Sequence, residues 1–175
     1  MKIAAPIIGI LSGPHKHQPF SGEKQFFESI QRECIKQGAS SFVFTPASIQ
    51  SETIEGFHFE NNAWKPKTFP YPHFVYNRLP TRSLENSRNI QTFFQTLEKR
   101  NIPYFNRKFL DKWEVYTWLT NVKHAAWRLP KTELLTDTEL AVLFLKTYPF
   151  IYIKPSHGKM GKGIFTLSYH SDSDI

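Results

Sequence analysis

The chain has 175 residues, of which 40% are hydrophobic and 15% are aromatic, including 16 phenylalanines. This content can build a hydrophobic core and excludes a disordered chain, and the length fits one domain or slightly more than one. A net charge of +7 favours anionic partners such as nucleotide phosphates, nucleic acids or anionic polymers.

The cysteine content and the amino terminus predict a cytoplasmic protein. Cys34 is the single cysteine, so no internal disulfide can form, which fits a reducing compartment. It lies in a predicted helix, where we expect a small buried side chain rather than a catalytic thiol. The first six residues are too poor in apolar side chains for a signal peptide, and no stretch approaches the roughly 20 apolar residues of a membrane span. We therefore expect no membrane partner.

The first half of the chain, residues 1–107, predicts an α/β domain. Residues 6–11 form an apolar run that suits a strand buried on both faces. The pattern over 22–37 predicts a helix that stops at Gly38. A second strand at 41–44 completes a β-α-β unit, so its strands are expected to be parallel.

Shorter elements follow in this half. Asn61 and Asn62 predict the turn of a β-hairpin, because asparagine tolerates a positive φ angle. A third core strand is predicted at 74–76 and a helix from about 84 to 99. Residues 102–106 predict a short strand or an extended connection.

The second half, residues 108–175, predicts helix, extended segment, helix, strand, glycine-rich loop and strand in that order. Asp111 can cap the first of these helices, with Glu114 in the third position after it. The sequence Thr-Asp-Thr-Glu at 136–139 predicts a capping box for a second helix that ends before Pro149.

The glycine-rich loop carries the most information about function. It contains three glycines and two lysines, namely Gly158, Lys159, Gly161, Lys162 and Gly163. Glycines let backbone N–H groups turn towards one point and lysines add positive charge there, so phosphate is the expected ligand. No Asp or Glu occurs from 140 to 171. The loop lacks the Gly-Lys-Ser/Thr of a Walker A motif and the glycine spacing of a dinucleotide fingerprint. The alternative to a phosphate-binding loop is a glycine-rich β-hairpin with solvated lysines.

Two lysines outside the loop are candidates for the same site. Strand alternation places Lys154 on one face with Phe150 and Tyr152, so it would project from an apolar patch about the size of adenine. Lys112 lies in the first turn of a helix, where the positive end of the helix dipole disfavours a lysine. This misplacement suits a lysine held for a ligand, and the alternative for both is a solvated surface lysine.

Three features, in order, resemble the start of an ATP-grasp domain. They are Asp111-Lys112 at a helix start, Leu129-Pro130-Lys131-Thr132 between two helices, and Ile151-Tyr152-Ile153-Lys154-Pro155 before the glycine loop. More narrowly, the sequence Pro-Tyr-Pro-His-Phe-Val-Tyr-Asn-Arg at 70–78, followed by Asp-Lys-Trp at 111–113, resembles the endospore coat-associated YheC/YheD family. The resemblance covers most of the chain. It implies an α/β fold with a pre-ATP-grasp parallel-sheet domain at 1–107 and a truncated first α+β subdomain of an ATP-grasp fold at 108–175.

The resemblance also implies a nucleotide partner and a reaction. ATP and Mg²⁺ would be the cofactors, with Lys112 and Lys154 holding the phosphates under the glycine loop as a lid. In an ATP-grasp ligase, ATP phosphorylates a carboxylate, and an amine or other nucleophile then displaces the acyl phosphate. Similar enzymes continue well past this loop, so we expect the magnesium ligands beyond the end of this chain and little activity for the chain alone. The small-molecule or polymer acceptor and the oligomeric state are not predicted.

Two other function classes stay open. A non-catalytic, spore-associated binding or structural protein could keep the same fold, and a basic, phenylalanine-rich chain would suit assembly on an anionic layer. A nucleic-acid-binding module is the weaker hypothesis, because the lysines and arginines are spread along the chain rather than clustered.

Candidate substrate-binding residues occur in the first half. His15 and His17 lie in a loop directly after the first strand, where α/β folds bind ligands, although a solvated loop is the favoured interpretation. Arg78 and Arg82 follow the third strand and could meet an acidic substrate. The spacing of His, Cys, Asp and Glu matches no metal site, and a Gly-x-Ser-x-Gly motif is absent, so a serine hydrolase has no support.

Overall fold

In a computed structural model, which describes residues 5–124, 128–158 and 161–168, the chain divides into two compact units. Unit 1 comprises Met1–Phe109 and unit 2 comprises Leu110–Ile175. The predicted α/β class with a parallel sheet is confirmed, since unit 1 is built on a sheet whose central strands are parallel.

Unit 1 contains a six-stranded sheet with the strand order β4-β3-β2-β1-β5-β6. The strands are β1 Ile7–Leu11, β2 Ser40–Phe44, β3 Thr53–Glu60, β4 Ala63–Pro70, β5 Phe74–Asn77 and β6 Tyr104–Phe105. Strand β1 lies between β2 and β5 and is parallel to both, and β6 is parallel to β5. The chain thus moves from β1 to one side of the sheet and later returns to the other side, which creates a topological switch point at the carboxyl ends of β1 and β5.

Four helical segments accompany this sheet. They are α1 Lys24–Lys36, a 3-10 helix Pro46–Ser48, α2 Arg82–Glu85 and α3 Arg88–Lys99. The helix predicted over 22–37 begins later because Gly22 has a φ of +101°, which no helix accommodates. The single helix predicted from about 84 to 99 is wrong: Thr81 caps α2, and Ser87 is the N-cap residue of a separate α3.

The core of unit 1 lies on both faces of the sheet, as the apolar run of β1 predicts. Neighbouring residues of β1 belong to different clusters, since Ile10 packs with Phe27 of α1 and Leu11 packs with Phe93 of α3. Both β1 residues are fully buried. Burial of this kind contributes about 1.5–3 kcal/mol for each large apolar side chain.

The hairpin formed by β3 and β4 was predicted from its turn. Asn61 and Asn62 have φ angles of +51° and +58°, as a tight hairpin turn of type I′ requires. Strand β4 is the edge of the sheet and contains Pro66 and Pro70, which an edge strand tolerates because its outer N–H groups need no partner.

The described part of unit 2 contains two α-helices followed by a hairpin. They are α4 Lys112–Thr120, α5 Thr138–Thr147, β7 Phe150–Ile153 and β8 Phe165–Ser168. Asp111 caps α4 as predicted, accepting a hydrogen bond from the Glu114 N–H at 2.7 Å. The cap of α5 is one residue later than predicted: Asp137 accepts from the Leu140 N–H at 2.9 Å. This bond lowers the pKa of the Asp137 carboxyl group, and a second hydrogen bond, donated by the Thr136 hydroxyl, lowers it further.

The described residues of unit 2 include none that is buried. Large apolar side chains of α4, α5 and the hairpin are exposed, and Phe150, Tyr152 and Phe165 are each more than half exposed. Unit 2 therefore has no closed hydrophobic core within the described ranges. No helix in the described part of the chain combines the length and hydropathy that crossing a bilayer requires.

Candidate functional site

Strand β7 delivers Lys154 to the glycine-rich loop. Phe150 and Tyr152 are 51% and 60% exposed, whereas Ile151 and Ile153 are half-buried, as strand alternation predicts. The Lys154 ammonium lies 5.5 Å from the centre of the Tyr152 ring, within the range of a cation–π interaction. An exposed aromatic face and a cation are therefore adjacent at the end of this strand.

The loop turns back directly after Pro155. The Gly158 N–H donates to the Pro155 carbonyl at 3.2 Å, and β8 then pairs antiparallel with β7, so the predicted strand, loop and strand are confirmed. Gly161 and Gly163 have φ angles of +73° and +71°, which favour glycine. Gly158 has little space for a side chain, since a Cβ there would lie 3.2 Å from the Lys162 carbonyl oxygen.

Lys112 joins this loop from the start of α4. Its Nζ donates to the carbonyl oxygens of Pro155 at 2.8 Å and Gly158 at 2.5 Å, and its backbone N–H donates to the Ser156 carbonyl at 3.0 Å. Two candidate elements more than forty residues apart in sequence are thus brought together. An ammonium group has three N–H donors, so one remains for a ligand while two hold the carbonyls.

Other predicted residues of the loop are less constrained. Lys162 is exposed, and Lys159 lies outside the described residues. Over the described part of the loop and the two flanking strands there is no carboxylate, so the positive charge there is not neutralised by its own sequence.

The candidates in unit 1 lie around the switch point. His15 is exposed in the loop after β1, and its Nδ1 accepts a hydrogen bond from the His17 N–H at 3.1 Å. Arg78 directly follows β5, and its N–H donates to the Leu11 carbonyl at 2.8 Å. Arg82 is the first residue of α2 and is half-buried.

The surface of the described residues has two hollows that other side chains line. One, of about 460 Å³, is in unit 1 between α3 and the chain after β6, and the other, of about 530 Å³, lies along α5. Neither hollow is lined by a predicted site residue. Within the described ranges, no group of three or more His, Cys, Asp and Glu side chains could hold a metal ion.

The positive φ of Gly161 gives a first testable prediction. A Gly161→Val variant should destabilise the loop turn by about 1–2 kcal/mol, because a side chain at this φ clashes with its own backbone. We expect trypsin to cleave after Lys162 roughly 5–30 times faster than in the parent chain. Gly161→Asn is the matched control, since asparagine adopts this conformation readily. Equal cleavage rates in the valine and asparagine variants would contradict the prediction.

Comparisons with known proteins agree with the motifs. Residues 101–175 match the family model described as YheC/D like ATP-grasp. The endospore coat-associated protein YheD of Bacillus subtilis (strain 168) is 34% identical over 169 residues, which cover 93% of this chain and 37% of that protein. The structure of D-alanyl-alanine synthetase A from Vibrio cholerae O1 biovar eltor is similar with a TM-score of 0.46 and 16% identity, over 95% of this chain and 53% of that one.

This chain therefore spans little more than a third of the length of YheD and about half of the synthetase chain. The family match covers α4, α5 and the hairpin with its glycine loop, and the identity to YheD extends through unit 1. The resemblance inferred from the motifs is thus confirmed. From residue 101 onward, this chain is similar to the YheC/D-like ATP-grasp family.

Proposed function

We propose that unit 2 binds the triphosphate of ATP at the glycine-rich loop. The observation that carries this proposal is the pair of hydrogen bonds from Lys112 Nζ to the Pro155 and Gly158 carbonyls. These bonds attach a second cation to a loop that already follows Lys154. The match of residues 101–175 to an ATP-grasp family model supports the same function.

The chemistry of the loop fits a polyphosphate. A triphosphate carries about four negative charges, and the segment from 140 to 171 has lysines but no acid to compete for them. Lys154 and the remaining N–H of Lys112 would position phosphate oxygens, with charge-assisted hydrogen bonds stronger than neutral ones. The exposed Tyr152 ring offers an apolar surface beside them for a nucleobase.

On this proposal the chain is the phosphate-binding part of a ligase. ATP would phosphorylate a carboxylate, and an amine or another nucleophile would displace the resulting acyl phosphate. The residues described here would hold and orient the phosphates, which lowers the barrier by positioning and by electrostatic stabilisation. They do not offer a magnesium cluster, so no step is assigned to a metal held by them.

Binding of ATP to the Lys154→Ala variant tests this function. We expect affinity at least about tenfold lower than that of the parent chain, because a hydrogen bond to a charged group contributes about 1.5–3 kcal/mol. Isothermal titration calorimetry with ATP measures the affinity. Lys146→Ala, which removes an exposed lysine of α5, is the matched control and should leave affinity unchanged. The proposal fails if the parent chain does not bind ATP, or if both variants bind it equally well.

A second function is favoured by the name of the relative. YheD is described as an endospore coat-associated protein, so we also propose a spore-associated role, either alongside ATP binding or in place of it. A fluorescent fusion followed through sporulation would test it. Enrichment at the forespore surface is expected, and uniform cytoplasmic fluorescence would contradict it.

A further inference from the structure

The fold of unit 1 gathers cations that are spread along its sequence. Parallel strands β1, β5 and β6 end at one edge of the sheet, and the segments that follow them, 12–22, 78–84 and 106–109, contain no Asp or Glu. These segments carry five lysines and arginines, namely Lys16, Arg78, Arg82, Arg107 and Lys108. Glu23 follows the first segment, and Lys24 beside it balances its charge. Cations dispersed in the sequence are therefore clustered in space, and this edge is positively charged.

Aromatic rings adjoin this cationic edge on one face of the sheet. Tyr76 and Phe105 are register partners on the parallel strands β5 and β6, so their side chains share a face, and their ring centres are 5.7 Å apart. The Arg78 guanidinium carbon is 5.8 Å from the Tyr76 ring centre and 5.4 Å from that of Phe26 in α1. A cation thus lies in a row of three rings.

This row of rings is open to a ligand. Phe26 is 37% exposed and Phe105 is 57% exposed, and Arg78 is exposed. Among the described residues, no carboxylate and no hydrogen-bond acceptor contacts the Arg78 guanidinium. Arg107 is also exposed, and its guanidinium carbon lies 5.0 Å from the centre of the Tyr104 ring. The surface therefore offers flat apolar contacts and unneutralised cations side by side.

Alternating rings and cations match the chemistry of a single-stranded nucleic acid. Each of its nucleotides carries one phosphate, and its unpaired bases are free to stack on aromatic side chains at the surface of a sheet. A duplex keeps its bases stacked inside and presents phosphates to such a surface. An acidic polypeptide supplies negative charge without a planar ring at every repeat. The exposed Phe105 ring beside the cations thus favours the single strand over both.

We propose that this edge of unit 1 binds single-stranded nucleic acid, with a base stacked on Phe105 and phosphates contacted by Arg78 and Arg107. The other cations of the edge attract the phosphate backbone without reading its sequence. The surface uses no residue of the glycine loop. It therefore stands independently of the nucleotide function proposed for unit 2.

Fluorescence anisotropy of a labelled oligothymidylate of about 12 nucleotides, titrated with the 175-residue chain, tests the charged contacts. We expect saturable binding whose logarithm falls with log salt at a slope of about −2, as for three neutralised phosphates. Arg78→Gln should weaken binding at least about tenfold and make the slope shallower by about 0.7. Lys99→Gln removes an equal charge from the carboxyl end of α3 and should keep both the affinity and the slope.

Variants of Phe105 test the stacking contact. Phe105→Leu should weaken binding at least about fivefold without changing the salt slope, because stacking on a base is lost and no charge changes. Phe105→Tyr keeps a ring and should restore the parent's affinity. Arg78 and Phe105 are exposed, so all of these variants should keep the parent's circular dichroism spectrum, which verifies that they are folded.

Competitors of equal charge separate the possible partners. An abasic strand of the same length, a duplex and poly-L-glutamate should each displace the oligothymidylate at least about tenfold less effectively than unlabelled oligothymidylate does. Equal displacement by the abasic strand or by polyglutamate would overturn base stacking, and equal displacement by the duplex would overturn the preference for a single strand. Absence of saturable binding, or equal affinity in the parent and Arg78→Gln, would overturn the site.

Discussion

A Glu85→Ala substitution is expected to lower the free energy of unfolding by about 2–4 kcal/mol relative to the parent chain. Glu85 is only 4% exposed, and its two carboxylate oxygens accept hydrogen bonds from the Phe109 N–H at 2.8 Å and from Asn77 Nδ2 at 3.1 Å. Its removal leaves a main-chain donor without its partner and weakens the support of a buried amide. Each unsatisfied buried donor costs about 1–3 kcal/mol.

The Glu85 prediction has two comparison variants. Glu55→Ala removes an exposed acid from β3 and should change the unfolding free energy by less than about 0.5 kcal/mol. Glu85→Gln keeps one acceptor oxygen and should fall between the parent and the alanine variant. Urea titration followed by circular dichroism gives all three values. If Glu85→Ala and Glu55→Ala are equally stable, the carboxylate is not holding the end of β5 to the chain after β6.

The second large effect is expected in hydrogen exchange. Amides of β7 should exchange at least about 100-fold faster than those of β1, which corresponds to ~2.7 kcal/mol at ~1.36 kcal/mol for each tenfold. Strand β1 is central in a six-stranded sheet and carries fully buried side chains. Strand β7 has a single partner, and a two-stranded hairpin is marginally stable without further packing.

Exchange followed by mass spectrometry on the intact chain measures this difference. Strand β4 provides an internal comparison, because it also has a single partner strand but belongs to the sheet of unit 1. Its amides should exchange more slowly than those of β7. Comparable protection of β7 and β1 would mean that the exposed side chains of unit 2 are covered in solution.

Local sequence patterns predicted most of the fold of unit 1. The β-α-β unit and the Asn61-Asn62 turn depend on contacts between residues close in sequence, and both are confirmed. The division between α2 and α3 was missed, because residues 85–89 contain no glycine or proline that would mark a break in a helix. The hydrogen bonds between the Gln31 side chain and the Phe59 backbone join positions 28 residues apart. The periodicity of apolar residues does not predict such a pair.

Part of the candidate site was also predictable, because local sequence signals identify some of its residues. Lys112 was recognised because a lysine is disfavoured at a helix start, and Asp111 was recognised as the cap. The acceptors of the Lys112 ammonium are main-chain carbonyls. Every residue has such a carbonyl, so residue types in the sequence do not identify which ones accept. Their identity depends on how the turn after Pro155 folds back on α4, and only the three-dimensional arrangement specifies it.

The prolines of β4 have a consequence for self-association. A foreign strand that docked on this outer edge would find two positions, Pro66 and Pro70, with no N–H to donate, and the side chains of Lys65 and Lys67 would repel another copy of the same strand. The opposite edge, β6, is only two residues long. Fibril-like stacking through this sheet is thereby disfavoured at both of its borders.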